Sequence, residues 1–88
     1  MNYILEITSQ AQIDINIHKN SGNRSIVLKI YTLLNELTEH PTTGTGKPEL
    51  LKQNLTGYWS RRINKEHRLI YEVLNKKVII YSAKGHYL

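Results

Sequence analysis

The spacing of apolar residues changes along the chain, and the change separates a helical half from a strand-rich half. Residues 24–40 place isoleucine and leucine three or four positions apart, the period of a helix with one buried side. From residue 57 onward, apolar and polar residues alternate, the period of a half-buried strand. We therefore expect helices first and a sheet afterwards.

The most regular helical pattern lies in "RSIVLKIYTLLNELTEH", residues 24–40, and Pro41 is expected to end that helix. Its apolar stripe comprises Ile26, Val27, Ile30, Leu33, Leu34 and Leu37. An earlier helix is expected to begin at Ser9, which with Gln12 resembles a capping box. The isoleucines at 13, 15 and 17 fit a strand as well as a helix, so that stretch stays open.

Strand patterns surround this helical part of the chain. "NYILEI" opens the sequence as a short strand, and "GYWSRRI", "RLIYEV" and "KVIIYSA" follow residue 56 as three more. The separators "NKEH" and "NKK" are short, which favours antiparallel hairpins. Residues 41–49 have the composition of a loop. The order predicts a single α+β domain over residues 1–88, with a β-meander at its end.

Charge is distributed unevenly between the two halves. Residues 1–44 hold three Lys/Arg and four Asp/Glu, whereas residues 45–88 hold nine and three, within a net charge of +5. A basic half on a small domain favours an anionic partner such as nucleic acid or an acidic protein segment, although a solubilising surface explains it equally well.

Several of these charges are expected to meet at one end of the sheet. If Asn75 and Lys76 form a two-residue turn, Arg68 lies opposite Ala83, and His86 lies about 10 Å further along. The "NKEH" turn lies at the same end. An electropositive pocket and a merely solvated sheet end both remain open at this point.

One carboxylate stands among these bases. Glu49 lies between Lys47 and Lys52 in "GKPELLKQNL", residues 46–55. A carboxylate there would repel a phosphate, so it is unexpected in a site that only binds phosphate and makes sense if it removes a proton. RNA cleavage by internal attack needs a base, a group that stabilises charge on phosphorus, an acid and a group that orients the nucleotide. Glu, Arg or Lys, His and Tyr supply these functions without a metal or other cofactor.

The segment "GKPELLKQNLTGYWSRRINKEHRLIYEV", together with "HY" at 86–87, closely resembles the YoeB/Txe family of bacterial toxins, within the RelE/ParE superfamily of toxin–antitoxin systems. The resemblance implies two N-terminal helices packed on a twisted antiparallel sheet, as in microbial ribonucleases. It also implies a ribosome-dependent endoribonuclease that cuts translated mRNA, is inhibited by a YefM-like antitoxin and commonly forms a homodimer.

The resemblance also implies roles for individual residues. Glu49 matches the proposed general base, Arg68 the group that stabilises the transition state, and His86 the general acid. Tyr87 matches a residue that stacks on or orients the RNA, and Lys52 a lysine near the scissile phosphate. The chemistry alone leaves open which of Glu49 and His86 is base and which is acid.

Neighbouring residues complete the expected site. Lys47, Arg62 and Lys84 are expected to contact the RNA backbone, while Arg61, on the opposite face from Arg62, covers that face with its aliphatic stem. Many family members have Arg-Tyr where this chain has Lys84 and Gly85, which removes one ring available for base stacking.

Two rival functions stay open beside the mRNA-cleaving toxin. One is a ParE-like toxin that acts without ribonuclease chemistry, and the other is a basic module that binds RNA or protein. The absence of cysteine fits a reducing compartment, and neither a signal peptide nor a membrane-spanning run is evident, so a cytoplasmic protein is expected. His18 and His40 lack partner ligands in sequence, so no metal site is expected.

Overall fold

The computed structural model describes residues 2–52 and 56–85. Over these ranges two helices pack on one mixed sheet, in the strand order β1-β5-β4-β3-β2. The elements are β1 (Ile4–Ile7), α1 (Ser9–Asn20), α2 (Arg24–Leu37), β2 (Glu49–Leu50), β3 (Tyr58–Arg62), β4 (Arg68–Leu74) and β5 (Lys77–Ser82). The α+β prediction is confirmed. The sheet is antiparallel except at one edge, where β1 runs parallel to β5.

The ambiguous isoleucine stretch is part of α1. The helix begins at Ser9 as predicted, but Thr8 is the capping residue, and its hydroxyl accepts a hydrogen bond from the Ala11 amide at 3.2 Å. Thr8 has the extended backbone of a cap, which places its side-chain oxygen over the first helical turn. The same hydroxyl donates to the Ile80 carbonyl at 2.7 Å, so the cap also joins α1 to β5.

Helix α2 carries the predicted apolar stripe. Its buried members are Ile26, Ile30, Leu33, Leu34 and Leu37. The helix ends at Leu37 rather than at Pro41, because Thr38 forms the C-cap and its amide bonds to the Asn35 carbonyl. The segment between the helix and Pro41 is therefore already a loop.

The register between β4 and β5 differs from the expected one. Leu74 pairs with Lys77, as a two-residue turn requires, but a bulge between Ile70 and Tyr71 shifts the pairing by one residue. The Arg68 amide consequently donates to the Gly85 carbonyl at 3.0 Å, and the predicted position opposite Ala83 is wrong by one residue. The alternation of apolar residues does not indicate where one strand contains an extra residue, so the bulge could not be predicted from it.

The sheet has one face covered by the helices and one face without a helix in the described part of the chain. Leu69, Tyr71, Val78 and Ile80 are fully buried against α1 and α2. Residues directly opposite each other in antiparallel strands share a face. The helix-free side, here called the open face, carries Tyr58, Ser60 and Arg62 of β3 and Arg68, Ile70 and Glu72 of β4. Among the described residues, no helix is long and apolar enough to cross a membrane.

Candidate active site

A cleft of about 340 Å³ lies at one end of the open face. Its lining includes four residues expected in the site: Lys47, Glu49, Arg62 and Arg68. Pro48 and Ser60 complete the lining. The cleft thus combines one carboxylate with three cationic side chains, and it is open to solvent.

The loop before β2 brings Lys47 and Glu49 to this cleft. The Gly46 carbonyl accepts from the Arg62 amide at 2.6 Å, and Glu49 pairs with Ser60 on β3. Gly46 has a φ of 85°, and a Cβ at that position would lie 2.9 Å from the Arg62 carbonyl oxygen. Only glycine permits this close approach, which explains the glycine immediately before "KPE".

Arg61 holds the same loop from the other side of the sheet. Its guanidinium is completely buried and donates to Glu36 Oε1 at 2.9 Å, to the Thr43 carbonyl at 2.6 Å and to the His40 carbonyl. The expectation that Arg61 only covers a face with its aliphatic stem is therefore wrong. Most of its bonding partners come from α2 and from the loop at 40–45, which strand alternation does not reveal.

The surroundings of Arg61 shift the pKa values of two neighbouring groups, Glu36 and Tyr71. Hydrogen bonds from Thr45 and the charge of Arg61 hold the pKa of Glu36 below its ordinary value, although burial opposes the shift. Burial raises the pKa of Tyr71, whose hydroxyl accepts from Arg61 and donates to the Pro41 carbonyl at 2.6 Å. The cluster is thus a charged, hydrogen-bonded support beneath the cleft.

The "NKEH" turn orients Arg68. Asn64 Oδ1 accepts from the amides of Glu66 and His67, each at 2.8 Å, and so closes the turn. Arg68 Nη1 donates to the carbonyls of Asn64 at 2.7 Å and His67 at 3.1 Å. These carbonyls fix one edge of the guanidinium while the side chain still lines the cleft.

Three side chains fix the segment that leads towards residue 86; we call them the C-terminal anchor. Asp14 Oδ2 accepts from the Ala83 amide at 2.9 Å, and His18 Nε2 lies 2.8 Å from the Ala83 carbonyl. His67 Nδ1 accepts from the Gly85 amide at 2.9 Å, and its ring meets that of His18 with centroids 4.7 Å apart. Burial is the main cause that lowers the pKa of His67.

Sequence reasoning missed the anchor's Asp14 and His18, as well as Ser60 in the cleft. Asp14 and His18 share a helical face four residues apart, but their backbone partners in Ala83 are 69 and 65 residues away, which no local pattern indicates. Ser60 could have been found, because it alternates with Arg62 in "GYWSRRI" and therefore shares its face.

Other expected site residues are not brought together in the cleft lining. Lys52 and Lys84 are exposed and do not line it. His86 and Tyr87 lie outside the described residues, so their roles stay predictions. Within residues 2–52 and 56–85, no group of three or more His, Cys, Asp or Glu side chains is arranged to hold a metal ion.

The cleft suits an anionic, hydroxyl-bearing ligand. Its cations can bind a phosphate, and Arg68 presents a planar group suited to two phosphate oxygens. The Glu49 carboxylate at the same cleft can accept a proton from a ligand hydroxyl. Phosphate binding and proton removal are therefore available in one place.

Comparison with known proteins agrees with the sequence resemblance. The model of a family described as the YoeB-like toxin of bacterial type II toxin–antitoxin systems matches residues 8–87. Toxin YoeB of Escherichia coli (strain K12) is 41% identical over 81 residues, covering 92% of this chain and 96% of the relative.

Two solved structures from Staphylococcus aureus are similar over 99% of this chain and 100% of theirs, at 41% identity. A YoeB dimer superposes with a TM-score of 0.85, and a heterotetrameric YoeB–YefM toxin–antitoxin complex with a TM-score of 0.83. The chain belongs to the YoeB-like toxin family of bacterial type II toxin–antitoxin systems.

Proposed function

We propose that this protein is a ribosome-dependent endoribonuclease that cleaves mRNA during translation. The observation that carries the proposal is the cleft in which Glu49 lies with Lys47, Arg62 and Arg68. This combination serves phosphoryl transfer to an internal hydroxyl, because the reaction needs both a proton acceptor and positive charge at phosphorus. Dependence on the ribosome and the cytoplasmic site of action follow from the family resemblance.

In the proposed reaction, Glu49 removes the proton from a ribose 2′-hydroxyl. The 2′-oxygen then forms a bond to phosphorus as the bond to the 5′-oxygen breaks, giving a 2′,3′-cyclic phosphate and a free 5′-hydroxyl. Arg68 stabilises the negative charge of the pentavalent phosphorane, and Lys52 assists near the phosphate. His86 donates the proton that the leaving 5′-oxygen needs, and Tyr87 orients the nucleotide. No metal or cofactor takes part in this scheme.

The remaining cations hold the RNA. Arg62 and Lys47 line the cleft and contact phosphates beside the scissile one, while the exposed Lys84 adds a further backbone contact. Such contacts fix the position of the strand without reading its sequence.

An antitoxin is the expected protein partner. The Staphylococcus aureus relative is solved in a complex with YefM, which supports a YefM-like antitoxin for this chain. The basic half favours an acidic segment that folds on docking and covers the cleft. The relative is also solved as a dimer, which supports a homodimer here. If co-expression with a cognate YefM-like protein gave neither a complex nor relief of growth arrest, this partner assignment would be wrong.

The test is cleavage of a defined mRNA in a reconstituted translation reaction, read by primer extension, for the wild type and Glu49→Gln. Loss of the proton acceptor should slow cleavage by roughly 10²- to 10⁴-fold, with ribosome binding retained. Glu39→Gln is the matched control, because Glu39 is an exposed carboxylate outside the cleft lining.

The same reaction tests the acid and the rival functions. His86→Gln should also slow cleavage, whereas His40→Gln should not, since the exposed His40 contributes its backbone carbonyl to Arg61. Omitting ribosomes should abolish cleavage by the wild type. A wild-type protein that arrests growth but cuts no mRNA would overturn the proposal and favour a toxin without nuclease chemistry.

A further inference from the structure

Two tyrosine rings lie together on the open face. The centroids of Tyr58 and Tyr81 are 5.3 Å apart, and the rings are tilted by 44°. Both side chains are half-buried, so part of each remains accessible to solvent. Neither ring belongs to the apolar core beneath the helices. The pair therefore forms a separate aromatic surface on the side of the sheet that carries the cleft.

The aromatic pair and the cleft follow one another along the same strands. Three cross-strand pairs succeed each other on the open face: Arg62 with Arg68, Ser60 with Ile70, and Tyr58 with Glu72. Ser60 lines the cleft, and Tyr58 is two residues further along β3, or about 7 Å at the strand rise. A chain bound with one unit in the cleft would thus reach the rings with its next unit.

Charge differs between these two positions. The cleft end carries Arg62, Arg68 and Lys47, whereas the aromatic end carries Glu72. The Tyr81 hydroxyl donates to Glu72 Oε1 at 2.8 Å, which fixes the Tyr81 ring and keeps a carboxylate beside it. This hydrogen bond is the main reason that the pKa of Tyr81 is raised to about 12, so the phenol stays a donor. A phosphate is favoured at the cleft and disfavoured beside Glu72.

We propose that Tyr58 and Tyr81 form a subsite for the base of an mRNA nucleotide adjacent to the scissile phosphate. An uncharged, planar base stacks on tyrosine, while the phosphates stay with the cations of the cleft. The subsite deepens the proposed nuclease function and rests on it. Because every base has a stacking face, the contact strengthens binding without demanding one sequence.

A purely structural role for the rings predicts different behaviour. Ile70 is buried on the open face, between the Tyr58–Glu72 and Arg62–Arg68 pairs, and lies outside the helix-side core. If the rings only cover Ile70, replacing them by leucine should change the stability of the protein but leave the kcat and KM for RNA cleavage unchanged. Rings that stack on a base need an aromatic face, so phenylalanine should replace tyrosine and leucine should not.

The first measurement compares kcat and KM for cleavage on programmed ribosomes. Tyr81→Leu should lose roughly tenfold in kcat/KM, whereas Tyr81→Phe should stay within about threefold of the wild type, as expected from stacking on one base. Tyr31→Leu is the control, because Tyr31 is an exposed tyrosine on α2. Urea unfolding of each variant shows whether the chain is still folded under assay conditions.

The outcomes separate the subsite from the nuclease function. If Tyr81→Leu folds and cleaves like the wild type while Glu49→Gln does not cleave, the subsite is wrong and the nuclease function stands. If the wild type cuts no translated mRNA, the nuclease proposal falls and the subsite falls with it.

A second measurement avoids destabilised variants. Ring resonances of Tyr58 and Tyr81 are followed by NMR while a deoxy-substituted, uncleavable oligonucleotide is added to the wild-type chain. We expect the resonances of both rings to shift with this oligonucleotide and to remain unchanged with its abasic counterpart. Shifts at Arg68 without shifts at the rings would overturn the subsite.

Discussion

Arg61 and Arg62 are adjacent and chemically identical, yet the pleat of β3 gives them opposite environments. Arg62 is exposed at the cleft, whereas Arg61 is buried and bonded to Glu36 and to backbone carbonyls of the loop before the cleft. A buried charge depends on its partners far more than an exposed one, because water cannot replace them. The two arginines therefore provide a matched pair for measuring the support beneath the cleft.

Arg61→Met should destabilise the protein by about 3–5 kcal/mol, because it leaves the Glu36 carboxylate and several carbonyls without their cation. Arg62→Met, on the solvent side of the same strand, should change the unfolding free energy by less than about 0.5 kcal/mol. Urea unfolding measures both values. Equal costs for the two substitutions would contradict the assignment of Arg61 as the buried support.

Alternation along β3 was sufficient to place Arg61 and Arg62 on opposite faces, but not to find what Arg61 does. Successive residues of a strand point to opposite faces, so the alternation in "GYWSRRI" is enough to separate the two arginines. The partners of Arg61 come from α2 and from the loop at 40–45, segments that meet β3 only in the folded chain. Asp14 and His18 were missed for the same reason, since both bond to the backbone of Ala83.

At the scale of elements, α1 and the "NKEH" turn hold Ala83 and Gly85 through the C-terminal anchor. His67 accepts from the Gly85 amide, so its Nδ1 must be unprotonated in the folded protein. The pKa of His67 is set by its burial and by charged groups on the neighbouring elements. Burial comes first, followed by His18 of α1 and Lys84 of the terminal segment, all of which lower its pKa, while Glu66 of the turn opposes them.

His67 should make the protein less stable in mild acid. Its pKa in the folded state lies below the ordinary value of 6.5, so its contribution to stability is present above pH 6.5 and is lost as pH falls through the folded pKa. We expect wild-type stability to decline between pH 7.5 and 5. His67→Gln, whose amide oxygen can still accept from Gly85, should show a smaller decline.

Urea midpoints at several pH values, measured for the wild type and His67→Gln, provide this comparison. Identical pH dependence in the two proteins would show that His67 is not the titrating group. The cleavage rate can be followed over the same pH range, because the anchor fixes the segment that leads to His86.

The cap of α1 allows a second test at this scale. Thr8→Ala removes both the acceptor for the Ala11 amide and the donor to the Ile80 carbonyl, and should cost about 1–2 kcal/mol. Thr32→Ala is the control, because the exposed Thr32 hydroxyl donates to the Leu28 carbonyl within its own helix. If both substitutions cost the same, Thr8 does not join α1 to the sheet.

Helix α2 and all three strands of the meander were predictable because their apolar periods are regular, whereas the alternating isoleucines of α1 fitted a strand as well as a helix. The two-residue β2 was not, since Glu49 and Leu50 form a strand only by pairing with β3. The parallel pairing of β1 was equally unpredictable, because the sequence of a short strand does not indicate which strand it pairs with. The bulge in the β4–β5 pair was also unpredictable, because it depends on how the two strands pair in the folded protein.

At the scale of the whole molecule, the net charge of +5 and the cations of the cleft predict binding that weakens with salt. Affinity of the Glu49→Gln protein for single-stranded RNA, measured against salt concentration, should give a negative slope on a double-logarithmic plot. Lys47→Gln combined with Arg62→Gln should flatten that slope by about 0.7 for each phosphate contact removed.

Lys29→Gln combined with Arg24→Gln is the matched control, because both residues lie on α2, outside the cleft lining. This pair removes the same total charge. If it flattened the slope as much as the cleft pair, binding would follow net charge alone and the RNA would not occupy the cleft.

The pairing of β1 with β5 also determines the stage of its synthesis at which the toxin can fold. In the described sheet β1 pairs only with β5, so β1 has no partner strand until β5 is synthesised more than 70 residues later. Thr8 meets Ile80 across the same interval. A nascent chain that stops before β5 therefore cannot assemble this sheet, and toxicity can begin only after β5 has been translated.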